Sequence, residues 1–281
     1  YQRRVRETMG GQCTSDVHKL KQNDYKHEDE QLPDKYKSFD ELEMSLRQAG
    51  VESIQMVMSF DFSKSNTWTG EKTYGKSLHD TSFLNPYLRV LQILEPIIPR
   101  FDDDGIFPAF RFGCLDTRDK SVLPLLAPLN PDPHFKGFEQ LRQGYVQATQ
   151  FVKLSGPTTF APIIRQAIEI EKAYGGKQLL FLVILTDGDV SNIELDRQAI
   201  VEASHYPISI CAVGLGDGPF DKMIEFDDMG GARMFDNFQF VDFTAFEKQA
   251  ARMETPDLAL ATAIFNELPD HVKDMKKLKL L

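Results

Sequence analysis

The chain has 281 residues, 42% hydrophobic and 26% charged, with 42 acidic against 32 basic side chains and a formal net charge of −10. That length and composition suit a globular protein with a substantial core, and the acidic excess leaves no basic stripe to displace counterions from a nucleic acid. Three widely separated cysteines, Cys13, Cys114 and Cys211, exclude a disulfide framework and any CxxC zinc module, and no apolar run is long enough to cross a membrane as a helix.

In chain order, residues 1–36 are polar and charged with little periodicity, and are expected to form a disordered tail. In "SFDELEMSLRQAG", Ser38 is placed as an N-cap, Glu41 completes a capping box, and Gly50 stands where a helix C′ residue belongs. Ile54–Phe60 reads as a buried strand, and "NPYLRVLQILEPIIPRF" as a helix capped by Asn85 with Pro86 at its first position. Ile106–Gly113 is a short strand, and Val122–Leu129 carries prolines that put it at a sheet edge if it is a strand at all. Helices are expected through "GFEQLRQGYVQATQFV" and "IIRQAIEIEKAYGG", on either side of the turn "LSGPTTFAP". Gln178–Leu185 is the clearest buried strand. A helix over "IELDRQAIVEASH", a strand at Ile208–Leu215, an edge strand at Phe238–Phe243 and a helix near Pro256–Leu268 complete the pattern. The basic residues 271–281 are expected to trail off as a second tail. Apolar strands alternating with amphipathic helices predict one α/β domain over 37–270, a doubly wound, mostly parallel sheet with helices on both faces.

Ligands of such sheets bind outside the carboxyl ends of the strands. There the sequence places "DFSKS", with oxygen-bearing side chains at Asp61, Ser63 and Ser65. "LTDGD" brings Asp187 to the tip of the strongest strand, and "SGPTTFAP" offers Thr158 and Thr159 at the mouth of a helix. Few carboxylates among several hydroxyls suit a small hard cation such as magnesium, which keeps waters when the protein supplies few charges. A lone DxSxS is commonly turn chemistry; the ordered set of three segments is far more restrictive. The whole cluster is expected to face solvent.

These segments resemble the metal-ion-dependent adhesion site of von Willebrand factor A domains. "SLHDTSFLNPYL", "GIFPAFRFG", "LSGPTTFAPII", "YPISICAVGLGDGPFDKMIEFDD" and "FDNFQFVDF" narrow the likeness to the copine-type A domain. "KYKSFDELEMSLRQAGVES" joined to "DFSKSNTWTG" is similar to its branch in plant ubiquitin ligases that carry this domain ahead of a RING finger. The resemblance implies magnesium at the site, with manganese or calcium as alternatives. It makes Ser63 and Ser65 direct ligands, Asp61 and Asp187 direct or water-mediated ones, and Thr158 the loop threonine, with Thr159 its alternative. Asp217 and Trp68 are expected beside the site, behind its ligands or on its rim. Arg111 stands where the family usually has a small residue and is read as a surface change.

The resemblance also implies a non-enzymatic module that binds a protein partner through an Asp or Glu carboxylate. The alternative is the substrate-recruiting part of a RING ligase, since a RING needs eight Cys or His zinc ligands and only His271 follows Cys211. A dehalogenase-type phosphatase is disfavoured because Ser63 stands where its second aspartate belongs. "GLGDGP" lacks the residues of a phosphate cradle, and His79 is read as a structural hydrogen-bonding group. "MGGQCTSD" fits an N-myristoylation pattern at Gly10 with Cys13 available for palmitate, although eight residues precede Met9. A cytoplasmic protein at the inner face of the plasma membrane is the corresponding expectation.

Overall fold

The structure is a computed structural model that describes Leu32 and residues 35–281 apart from 177 and 189. Gly10 and Cys13, with most of the expected N-terminal tail, lie outside the described residues. Leu32 and Tyr36, assigned to that tail, are instead held by the domain: the Leu32 N–H donates to Gln249 Oε1 at 3.0 Å, and the Tyr36 and Ser45 hydroxyls lie 2.8 Å apart.

Helix α1 spans Phe39–Gln48. The Ser38 hydroxyl accepts from the Glu41 N–H at 3.2 Å, but the Glu41 carboxylate reaches past the cap to the Lys37 N–H at 2.8 Å. Gly50 ends the turn with a φ of 95°. Strand β1 is Ile54–Asp61, followed by a 3-10 turn at Lys64–Thr67 and the short α2, Glu71–Tyr74. Helix α3 is Pro86–Leu94, with the Asn85 side chain accepting from the Leu88 N–H. Next come β2 at Ile106–Phe112, β3 at Leu123–Pro124, β4 at His134–Lys136, and α4 at Gly137–Phe151. The second half runs α5 Ala161–Tyr174, β5 Leu179–Thr186, α6 Ile193–Ala203, β6 Ile208–Gly214, α7 Asp221–Asp227 and β7 Phe238–Asp242. Helices α8 Phe243–Ala250, α9 Pro256–Ile264 and α10 Leu268–Lys277 close it.

The sheet order is β3-β2-β1-β5-β6-β7, with β4 also paired to β2. The five long strands run parallel, and β3 and β4 pair antiparallel with β2. Alternation along the strands divides the core into two layers. Ile54, Met56, Met58 and Phe60 of β1 join Phe181, Val183 and Leu185 of β5 under α1, α3, α4, α8, α9 and α10. Val57, with Leu180, Leu182 and Ile184, packs on the opposite side against α5, α6 and α7.

Two further expectations change. Only Leu123 and Pro124 of the proline-bearing segment enter the sheet, because Pro124 removes a donor and the lower half of the β2 edge is taken by β4. The residues expected as a basic tail, 271–281, instead supply most of α10, in which Leu268, His271, Val272 and Met275 are buried. Their i, i+3, i+4, i+7 spacing is a core-facing stripe, partly masked in the sequence by the lysines between them.

Asp227, at the end of α7, accepts from the Phe240 N–H at 3.0 Å, which satisfies a donor on the outer edge of β7. Burial, and then the nearby Glu267 charge, push its carboxyl up to about 8. A carboxyl raised in the folded state costs stability as pH climbs from its unfolded value of about 3.9 toward 8. Asp227→Asn keeps the acceptor without the charge. It is expected to match the wild type near pH 4 and to exceed it by on the order of 1–2 kcal/mol at pH 8, measured by urea unfolding at the two pH values.

Candidate metal centre

The chain leaves β1 toward β2 on one side, and later places β5 on the other. The carboxyl ends of β1 and β5 therefore flank a topological switch point, where the connections diverge and leave a crevice. Asp61 is the last residue of β1, and Asp187 directly follows the last residue of β5. Register pairs Phe60 with Leu185, so both carboxylates emerge at the same level. They are 0% and 1% exposed, so the cluster is buried rather than facing solvent as expected. Burial first, and then the Asp187 charge, raise the Asp61 carboxyl to about 8.

The turn after β1 folds its own polar groups onto this point. Asp61 Oδ1 accepts from the Ser63 N–H at 2.8 Å, and Asp61 Oδ2 accepts from the Thr186 hydroxyl at 2.8 Å. The Ser63 and Ser65 hydroxyls are 2.9 Å apart, and Asn66 Nδ2 donates to Ser63 Oγ at 3.0 Å. The Thr69 hydroxyl lies 3.1 Å from Asp187 Oδ2 and 3.0 Å from the Ser65 carbonyl, linking the two segments. From the third segment, the Ser191 N–H and hydroxyl both hold the Thr158 carbonyl at 2.8 Å. Gly113, just past β2, has a φ of 70°, and a Cβ there would stand 2.9 Å from both Asp61 Oδ1 and Thr158 Oγ1. The missing side chain leaves room for these oxygens to come together.

The structure thus gathers Asp61, Ser63, Ser65, Thr158 and Asp187 at one edge. Thr159 is separated from them: its hydroxyl donates to Asp196 Oδ1, which also accepts from the Phe160 and Ala161 N–H groups at the start of α5. Asp217 is likewise engaged elsewhere, accepting from the Lys72 and Thr73 N–H groups at 2.9 and 3.0 Å and from the Thr73 hydroxyl at 2.7 Å. Its own N–H donates to the Thr69 carbonyl, which ties the "GLGDGP" turn to the site's frame. Trp68 is 51% exposed and borders a cleft with Ser65, Thr69, Asp187 and Lys222.

Beneath the site lies a polar layer. The Asp61 carbonyl accepts from His79 Nε2 at 2.8 Å, and His79 Nδ1 faces the Tyr145 hydroxyl at 2.9 Å. Burial depresses the His79 imidazole to about 4, so it is neutral at physiological pH, with its proton on Nε2. The Tyr87 hydroxyl lies 2.7 Å from Asn66 Oδ1 and 3.0 Å from the Asp61 carbonyl. Phe62 stacks on His79 at 4.4 Å and is buried, so the exposed rim aromatic is Trp68. Arg111 is no surface change. It is fully buried, donating to Cys114 Sγ and the Ala127 carbonyl, each at 2.7 Å, and so pins the turn that contains Gly113.

Thr186, Thr69, Asn66 and Gly113 were not named from the sequence. Thr186 and Thr69 carried a readable signal, being hydroxyls beside the Asp-bearing turns; Gly113 did not, since its role depends on a contact between distant segments. The donor set fits a hard divalent cation: oxygens alone, two of them carboxylates, converging at a strand edge. Among the described residues no cluster of three His, Cys, Asp or Glu is assembled, so any ion here rests on hydroxyls as much as on charge.

A mostly parallel, doubly wound sheet with hydroxyls and two carboxylates at its switch point defines a domain of the von Willebrand factor A class. The sequence model of the copine family matches residues 77–281, and the chain belongs to that family. It is 39% identical over 256 residues to the E3 ubiquitin-protein ligase RGLG3 of Arabidopsis thaliana, covering 86% of this chain and 69% of that protein. It is 38% identical over 265 residues to RGLG5 of the same plant, covering 89% and 60%. Copine family protein 2 of Caenorhabditis elegans is 38% identical over 249 residues, covering 88% of this chain and 3% of that protein. The chain therefore spans only part of these relatives, three-fifths of RGLG5 and a small fraction of the worm protein.

Gly113→Ala tests the close approach at the site. The substitution adds left-handed strain and a Cβ against two site oxygens. The expected loss is more than about 1 kcal/mol in urea unfolding, with weaker divalent-cation binding by calorimetry. Unchanged stability and binding would show that the contact is not needed.

Proposed function

We propose that this chain is a protein-binding module whose metal centre holds magnesium and, through it, an Asp or Glu carboxylate of a partner. The observation that carries this reading is the pair of serine hydroxyls, 2.9 Å apart, set between two buried carboxylates at the switch point. Ser63, Ser65 and Thr158 would hold the ion through neutral oxygens, with Asp61 and Asp187 direct or water-mediated. The bound ion supplies a Lewis-acid position for a carboxylate. The protein's own part is to hold the Ser63 hydroxyl through Asn66 and the Asp61 and Asp187 carboxylates through Thr186 and Thr69, and to neutralise the ion only partly. Manganese or calcium would use the same oxygens with less demand for octahedral geometry in the case of calcium.

The relatives named as E3 ubiquitin-protein ligases favour a second reading of the same site, in which the module recruits substrates for a ligase whose RING lies outside this chain. The two readings share one binding chemistry and differ in what the captured partner meets next. Acylation at Gly10 and Cys13 would add a membrane tether at the cytoplasmic face. That rests on the sequence pattern alone and is tested by metabolic labelling of a chain that begins at Met9.

Two outcomes are expected from calorimetry on the EDTA-stripped protein. Magnesium binds saturably to the wild type, and Ser63→Ala/Ser65→Ala weakens it by more than about tenfold while the thermal transition stays cooperative. Asp61→Ala, by contrast, strands the Ser63 N–H and the Thr186 hydroxyl in a buried site. It is expected to cost on the order of 1–3 kcal/mol, whereas Asp61→Asn retains an acceptor and costs less in the same unfolding assay. Magnesium binding that survives the double serine change would remove the ion from this site.

A further inference from the structure

Around the sheet from the metal centre, the β2 edge carries a groove of 450 Å³ that the proposed function does not use. Its floor is Pro108 and Phe110 of β2 with Pro124 of β3, and its far wall is Ile170, Ala173 and Tyr174 of α5. The α5 positions lie on one helical face, and Tyr174 is 43% exposed. The groove exists because the partners of β2 are so short. With only two residues in β3 and three in β4, the outer half of the α5 apolar face has no strand beneath it.

The edge itself is not open to strand addition. Residues 106–108 pair with β4, Phe110 and Arg111 pair with β3, and between them the Ala109 N–H donates to Pro133 while its carbonyl accepts from Leu125. The prolines of the floor offer no N–H. What remains is an apolar, aromatic-walled channel that can grip side chains but not a backbone.

The charges beside it select the occupant. Asp103 and Asp104 are exposed in the turn before β2, and Asp104 and Asp102 lie close enough to Tyr174 to add to the effect of burial in raising its hydroxyl pKa. Next in the chain to Pro133, which lines the groove, Asp132 is exposed with its Oδ1 2.6 Å from His134 Nδ1. Lys136, and Lys120 two residues before Val122 of the lining, offset only part of this acidity. A ligand with basic side chains beside apolar ones would meet complementary charge next to Tyr174 and along the Asp132 border, and an acidic ligand would be repelled.

We propose that this groove docks an apolar peptide segment bearing a lysine or arginine beside its apolar anchors, independently of the metal. Short random peptides displayed on phage, selected on the full chain in EDTA, provide the test. Enriched peptides should pair apolar residues with Lys or Arg. Their affinity should fall at least about tenfold with Ala173→Arg, which fills the channel from an exposed helical position, and several-fold with Asp104→Lys. Ser63→Ala/Ser65→Ala should leave it unchanged. Thermal melts of each variant separate lost binding from lost fold. Enriched peptides that are acidic, or that bind Ala173→Arg as well as wild type, or the absence of any Ala173→Arg-sensitive binder, overturn the proposal. So does a dimer in sedimentation that Ala173→Arg dissolves, since a second copy would then own the surface.

Discussion

The feature on which the rest depends is the placement of two carboxylates, Asp61 and Asp187, at adjacent strand ends with almost no exposure to water. Two like charges in such a place repel and are poorly solvated, so neither would be tolerated without donors built around it. Asp61 has one on each oxygen, the Ser63 N–H and the Thr186 hydroxyl, and Thr69 stands against Asp187. The switch point supplies the position, since only there do the connections after β1 and β5 separate and leave the strand ends uncovered. Much of the local architecture serves to hold that arrangement: the 3-10 turn, the contact at Gly113, and the polar layer of His79, Tyr87 and Tyr145 beneath the Asp61 carbonyl.

The sheet was legible because its signals are local. Runs such as Ile54–Phe60 and Gln178–Leu185 are buried on both faces and therefore uniformly apolar, while the caps at Ser38 and Asn85 declare themselves within four residues. What stayed hidden depends on distant partners. Arg111 reads as a surface residue because arginine is so seldom buried, and its place is explained by the Ala127 carbonyl, 16 residues on, the Cys114 sulfur and the Asp116 carboxylate at 3.4 Å. Helix α10 was obscured by composition, since Lys273, Lys276 and Lys277 are interleaved with the four residues that seat it. The choice between Thr158 and Thr159 could not be made from the turn, because it is decided by Asp196 in another helix taking up the Thr159 hydroxyl.

The division of labour among the site oxygens follows from their existing bonds. Both Asp61 oxygens already accept from protein donors, which leaves each with spare lone pairs but a fixed orientation. Ser63 Oγ and Ser65 Oγ share a hydrogen bond with one another, and a hydroxyl proton can rotate to free a lone pair at little cost. A cation entering here meets neutral oxygens that adapt and charged ones that do not. An ion held mainly by neutral oxygens keeps more of its charge available to an incoming anion than one wrapped in carboxylates. The same buried carboxylates, costly beside one another, would favour a cation between them, and on the proposed reading the hydroxyls would leave that ion with charge to offer a partner.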